Sequence, residues 1–257
     1  MTRSHTQLAV VAALVRRALN EITRVPGAAI PGILAPTIFV IGLTSVFGQA
    51  DRLTGFGDVD FRTYVVPVGF LQAAGFTGAA TGVNLARDIE RGWFDRLLLC
   101  PAPRLTVLAG VVASAALRCL LPVGFLFVVA MAIGVDFPGI DGLLVALLLV
   151  MGLASALACF AVTLALRLRT QQAAPLMQMG SFAGVLFTPA YAPKELLAGW
   201  LEAVATVNPI TQVLAGVRQG FVGEVTWGDT WPAVLAVLGL VLGFGALAVR
   251  GLRRYSS

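Results

Sequence analysis

Apolar residues in this 257-residue chain fall in long blocks rather than in the alternating pattern of a β-strand. Six blocks, near 26–47, 63–86, 106–134, 142–166, 172–191 and 230–249, are each long enough to cross a bilayer. At about 1.5 Å per residue, some 20 helical residues cover a hydrocarbon core of about 30 Å. Outer-membrane barrels instead alternate in segments of about ten residues. The pattern therefore predicts an all-α integral membrane protein with six transmembrane helices. Pro26, Pro31 and Pro36 in the first block favour a kink there. Polar interruptions and flanking prolines leave the limits of the fifth block the least defined.

Ahead of the first block, Leu8, Val11, Val15, Leu19 and Ile22 recur at helical spacing, with Arg17, Asn20, Glu21 and Arg24 on another side. Residues 1–25 thus suit an amphipathic helix in the membrane interface. A solvated helix packed on a partner has the same periodicity. The apolar run Leu8 to Val15 is too short to span and no small-residue cleavage site follows it, so a signal peptide fits less well.

Composition strengthens the membrane reading. Hydrophobic residues make up 58% and charged residues 12% of the chain, and the mean hydropathy is +0.89. A soluble domain carries about 25% charged residues. Soluble-enzyme and disordered readings fall away. Charge then sets the orientation. Thirteen of the 18 Lys and Arg residues fall on one side of the six blocks, from Arg3 and Arg16 through Arg87, Arg91, Arg96 and Arg104 to Arg254. Arg52, Arg62, Lys194 and Arg218 fall on the other side, and Arg118 lies within the third block. By the positive-inside rule both termini are cytoplasmic.

Several chemistries are excluded by counting. His5 is the one histidine, so no histidine metal site or Ser-His pair can form within the spans. The spans lack an acidic metal-ligand cluster, so neither catalytic residues nor a metal site is expected. Cys100 falls in a cytoplasmic loop and Cys119 and Cys159 within spans, a placement that argues against a disulfide. The one lysine, Lys194, precedes Glu195, so no Gly-x-x-x-x-Gly-Lys-Ser/Thr loop for ATP exists. No nucleic-acid partner is expected.

Two connections are longer than a turn needs. The external one, 192–228, is too apolar for an ordinary loop. The cytoplasmic one, 87–104, places Ile89, Trp93 and Leu97 at i, i+4 and i+8, joined by Phe94 and Leu98, with Asp88, Glu90, Arg91, Asp95 and Arg96 supplying charge. Pro101 and Pro103 stop it. A short amphipathic helix of this kind suits a groove on a partner protein. A solvated connector or an interfacial anchor would have the same pattern.

That loop resembles a known family. The form Glu-x-Gly-x-(Phe/Leu)-(Asp/Glu)-Arg-Leu-Leu-x-x-Pro-x-x-Arg, between spans two and three, is similar to that of ABC-2 type exporter permeases. Glu90, Gly92, Phe94, Asp95, Arg96, Leu97, Leu98, Pro101 and Arg104 match it. Asn208-Pro209-Ile210-Thr211, with Arg218 downstream, resembles the family's stretch before the last span. Span number, the N-terminal helix and the long external segment agree, so the resemblance covers nearly the whole chain. Its flavour is that of the drug-resistance and lipo-oligosaccharide exporter branch. Trp93 departs from it, standing where the family often has a small residue or threonine.

The resemblance implies that 26–257 is one six-span domain and that 87–104 is a coupling helix seated in a separate ATPase subunit. Two permeases, identical or related, and two ATPases would form the exporter. ATP and Mg would bind the ATPase, with no cofactor on this chain. Segment 192–228 would be re-entrant helices closing the exit. Glu90, Trp93, Phe94, Asp95, Arg96, Leu97 and Leu98 would be the coupling contacts, Phe94, Leu97 and Leu98 as anchors. Cargo would be a lipid-like, glycolipid or amphiphilic drug molecule. Gln72, Asn84, Gln178, Phe182, Phe187 and Arg118 are candidates for the pathway or its gate, although interhelical hydrogen bonds and aromatic packing are the commoner uses of such residues. Asn208 before Pro209 reads as a helix cap and break. Arginine in place of lysine, with abundant Ala, Val and Gly, fits a high-GC bacterium and hence a bacterial plasma membrane. An ATPase-independent secondary transporter or channel is the alternative.

Overall fold

A computed structural model describes residues 3–24, 26–47, 60–99 and 102–255. Arg52, Cys100 and Pro101 lie outside the described residues, as do the side chains of residues 3–6, His5 among them, and of residues 21–24, 26–29, 31 and 195. The described elements are helices joined by turns and irregular chain, with no strand among the described residues. In order they form α1 (Arg3–Arg24), α2 (Pro26–Val46), α3 (Phe61–Glu90), α4 (Trp93–Leu98) and α5 (Arg104–Ala132). Then come α6 (Gly139–Leu168), α7 (Ala174–Leu186), α8 (Gly199–Val207), α9 (Pro209–Val222) and α10 (Trp227–Tyr255). Helices α5, α6 and α10 are each long and apolar enough to cross a membrane, judged by length and composition.

Helix α3 is the hub, packing on α2, α5, α6, α7 and α9. Its buried residues, from Phe61 to Ile89, are spread around the helix. That explains why so long a helix carries many small and polar residues: a protein environment surrounds it, where lipid would demand bulk and apolarity. The α3–α6 contact rests on glycine. A Cβ on Gly78 would stand 2.8 Å from Leu157 Cβ and 2.9 Å from the Ala158 nitrogen. One on Gly82 would stand 2.5 Å from Ala161 Cβ and 2.7 Å from its backbone. Spaced four apart on one face, the two glycines let the backbones approach. Helices α6 and α9 meet the same way: a Cβ on Gly220 would be 2.5 Å from Gly142 Cα.

Two elements differ from the pattern. The expected span 172–191 is realised as a 3-10 turn, Gln171–Ala173, and the 13-residue α7, followed by irregular chain to residue 193. Thirteen residues reach only about 20 Å, short of a bilayer core of about 30 Å. Asn208 ends α7 by a contact the periodicity does not encode, described below. In α1, Leu14 packs on Gly110 of α5 and Val11 and Val15 are half-buried, while Leu8 and Leu19 remain exposed.

Candidate functional site

The 87–104 connection is not one amphipathic helix. Helix α3 continues unbroken to Glu90, and Gly92 then turns the chain with φ of 65°. Glycine enters that left-handed region without the steric cost a Cβ brings. Helix α4 follows as a separate six-residue piece, so Ile89 and Trp93 belong to different helices.

Helix α4 is clasped by distant parts of the chain. The Phe94 ring, 3% exposed, packs edge-on against Tyr255 at 5.6 Å between centroids. Ile89, Leu97, Leu98 and Leu252 belong to the same apolar cluster. The Tyr255 hydroxyl donates to Asp95 Oδ1 at 2.7 Å, and the Arg169 guanidinium lies over the same Tyr255 ring, 4.5 Å from its centroid. On the opposite flank the Arg17 guanidinium sits 3.6 Å from the Trp93 ring centroid. Arg17 Nη2 also donates to both Asp88 oxygens at 2.9 Å. Glu90 accepts from the Gln171 backbone N–H at 2.9 Å and from its side-chain amide.

The electrostatics follow from those contacts. Hydrogen bonds from the Gln171 side chain and backbone hold the Glu90 carboxyl below its usual value of 4.5. Partial burial, then the bond to Asp95 and its charge, push the Tyr255 phenol up to about 12. It stays protonated, and a donor, near neutral pH.

What α4 leaves outward is its tip. Asp95, Arg96 and Leu99 are exposed, Leu99 at 85%. The expectation that Phe94 anchors a partner therefore gives way: its ring fills the chain's own core and fixes the tip. Leu97 and Leu98 are half-buried and do part of the same work.

Residues 9–222 match the ABC-2 type transporter family. The chain belongs to that family. Daunorubicin resistance ABC transporter permease protein DrrB1 of Streptomyces coeruleorubidus is 24% identical over 240 residues, covering 91% of this chain and 82% of that protein. The putative transport permease ycf38 of Cyanophora paradoxa is 25% identical over 213 residues, covering 80% and 71%. The counterpart of that name in Pyropia yezoensis is 24% identical over 258 residues, covering 93% and 86%. The chain is thus a multi-pass membrane transport permease, and family members are membrane subunits without a catalytic centre of their own.

In this ABC-2 permease the remaining candidate residues fall into three places. Gln72, Gln178 and Phe182 line one small cleft of about 220 Å³ between α3 and α7. Gln72 is tied down there, its amide donating to the Tyr191 hydroxyl at 2.9 Å. Asn84 and Arg118 line a different cavity, with Arg118 donating to Thr81 Oγ1 at 2.6 Å. Phe187 stands apart, stacked edge-on with Trp200 at 6.4 Å.

The Asn208 motif is a structural knot. Asn208 Oδ1 accepts from the Ile210 N–H at 3.0 Å, capping α9. Its amide nitrogen donates to the carbonyls of Gly184 and Phe187, at 2.8 and 2.9 Å, closing the C-terminus of α7. Pro209 holds the first helical position of α9, where its missing N–H costs nothing. Thr211 Oγ1 donates to the Ala205 carbonyl at 2.6 Å. Arg218 donates to the carbonyls of Pro189 and Ala190 and lies 3.6 Å over the Tyr64 ring.

Sequence reasoning missed Leu99, Tyr255, Arg169, Gln171 and the Arg17–Trp93 contact as parts of the site. A faint signal existed for one. Tyr255 is an aromatic residue just after Arg253 and Arg254, at the end of an apolar run where membrane helices carry aromatic anchors.

Proposed function

We propose that the chain is the permease subunit of an ATP-driven exporter, moving a lipid-like, glycolipid or amphiphilic drug substrate out of the cytoplasm or inner leaflet. The family match over residues 9–222, combined with a short helix clasped by Tyr255 and Arg17 and exposed at its tip, carries this reading. In it, the short α7, with the 3-10 turn before it and the irregular chain after it, completes the fifth crossing, so that six spans place both termini in the cytoplasm of a bacterial plasma membrane, and two permease chains pair with two ATPase subunits. The drug-resistance permease among the relatives supports an amphiphilic cargo.

The mechanism is alternating access. Closure of the paired ATPases displaces α4 through Asp95, Arg96 and Leu99. The clasp then passes the movement on: to α3 through Ile89 and the Gly92 turn, to α10 through Tyr255, and to α1 through Arg17. Rigid helices turn that displacement into tilting around a central path, and α8 and α9 close the outer end. A loose α4 would absorb the movement instead of transmitting it, which gives the buried Phe94 its purpose.

The test is co-expression with candidate ATPases, purification in mild detergent, and measurement of ATP hydrolysis. A stable complex whose hydrolysis responds to cargo, and loses that response in Leu99→Asp, is the expected result. A chain that purifies alone while cells still move cargo without any ATPase would favour the channel or secondary-transporter reading.

A further inference from the structure

A cavity of about 430 Å³, including its open mouth, lies between α1, α3 and α5. Two guanidinium groups line it, Arg17 from α1 and Arg118 from α5, and Asp88 is the one carboxylate among its lining residues. Asp88 is spent on Arg17 through the two 2.9 Å contacts. Three neutral polar side chains share the wall. Thr81 accepts from Arg118 at 2.6 Å, Ser114 donates to the Val111 carbonyl at 2.6 Å, and Asn84 is the third. The remaining wall is apolar, including Leu14, Leu85 and Val111.

That combination has a chemistry. The lining carries one net positive charge, and cations at membrane depth are costly without a counter-charge or water. Basic pockets between helices near a bilayer surface suit anionic phosphate headgroups, which guanidinium groups bind in a fixed fork geometry. The apolar wall suits the start of an acyl chain and gives a lipid an advantage over a soluble anion. We infer that this cavity holds the phosphate of an anionic phospholipid, bound by Arg118 and Asn84 and competing with Asp88 for Arg17. That this lipid belongs to the inner leaflet follows from the proposed cytoplasmic placement of residues 87–104; the phosphate chemistry does not depend on it. Because Arg17 also lies over Trp93, an occupied cavity would draw on the same guanidinium that steadies α4.

Native mass spectrometry of the full-length chain in detergent tests it, with dioleoylphosphatidylglycerol, dioleoylphosphatidylethanolamine or glycerol 3-phosphate added. Phosphatidylglycerol should be retained in preference to the other two. Arg118→Gln should weaken that retention roughly tenfold, the scale of one lost hydrogen bond to a charged group. Arg118→Lys, which keeps the charge but not the fork, should fall between wild type and Arg118→Gln. Asp88→Asn should strengthen it, a direction that mere loosening of the fold would not produce, and that arm decides the matter if Arg118→Gln fails to fold. Unchanged retention in both Arg118→Gln and Asp88→Asn would overturn the site. Displacement of the lipid by an equal concentration of glycerol 3-phosphate would overturn a lipid as its occupant. An ATPase that fails to co-purify would leave these ratios untouched, so this inference and the exporter reading fail separately.

Discussion

Tyr255, the last described residue of α10, donates a 2.7 Å hydrogen bond to Asp95, 160 positions earlier in α4. Its ring covers Phe94 on the same side. One side chain thus joins the end of the last long helix to the shortest one. Tyr255→Phe keeps the ring contact and loses the bond, and should cost about 1 kcal/mol. Tyr255→Ala loses both and should cost distinctly more. Thermal unfolding of the purified chain ranks the two. The phenol's raised value also fixes a pH window. A group whose folded value lies above its unfolded one stabilises fully below the unfolded value, about 10, and loses that contribution as pH rises through about 12. Tyrosinate absorbance of wild type minus Tyr255→Phe should therefore rise only well above pH 10.

Glu90 behaves in the opposite sense. Its folded carboxyl is held below 4.5, so its contribution is present above that value and is lost as pH falls through the lower, folded one. Glu90→Gln should differ from wild type in thermal midpoint at neutral pH. The difference should persist to pH 4.5 and vanish only on further acidification. Parallel melting curves across an acid series give the answer.

The α3–α6 contact makes a sharper structural test. Gly82→Val must displace the Ala161 backbone, and overpacking of this kind costs about 1–3 kcal/mol. A Cβ at Gly42 in α2 would meet nothing within 4 Å. Gly42→Ala should accordingly be neutral or stabilising by up to about 1 kcal/mol, since alanine is the better helix former. Unfolding in mixed micelles compares them directly.

At the other end, Asn208→Ala removes the cap of α9 and two donated bonds to α7, and should cost about 2 kcal/mol. Asn208→Asp keeps the acceptor for the Ile210 N–H but points a carboxylate at the carbonyls of Gly184 and Phe187. It should be no better than alanine. Equal stability of Asn208→Asp and wild type would contradict the double role given to this side chain.

The contrast between these sites explains what the sequence could reveal. Helices α2, α3, α5, α6 and α10 were legible because lipid and core impose apolar runs of the right length, a constraint written locally. Asn208 was legible as a cap because capping chemistry joins residues two apart; its bonds back to α7 were not, since they cross 24 and 21 positions. Helix α7 was over-read because its apolar pattern runs on past Leu186, where the carbonyls turn to Asn208 instead of to a further helical turn. In the 87–104 connection the periodicity was real but Gly92 cut it, and the left-handed turn reversed the meaning of Phe94 from contact to core. The clasp itself was out of reach: Arg17 with Trp93 and Tyr255 with Phe94 are pairings that no local pattern encodes.

The proposed contact with a separate ATPase is the tip of α4. A photo-crosslinking amino acid placed at Leu99 and, in a second variant, at Val207 tests it most directly, since both side chains are more than 80% exposed and lie in different helical regions. With the ATPase co-expressed, residue 99 should give an adduct of permease plus ATPase, and residue 207, which the account places at the outer face, should give none. No adduct from residue 99, or adducts of equal yield from both positions, would rule out the α4 tip as that contact.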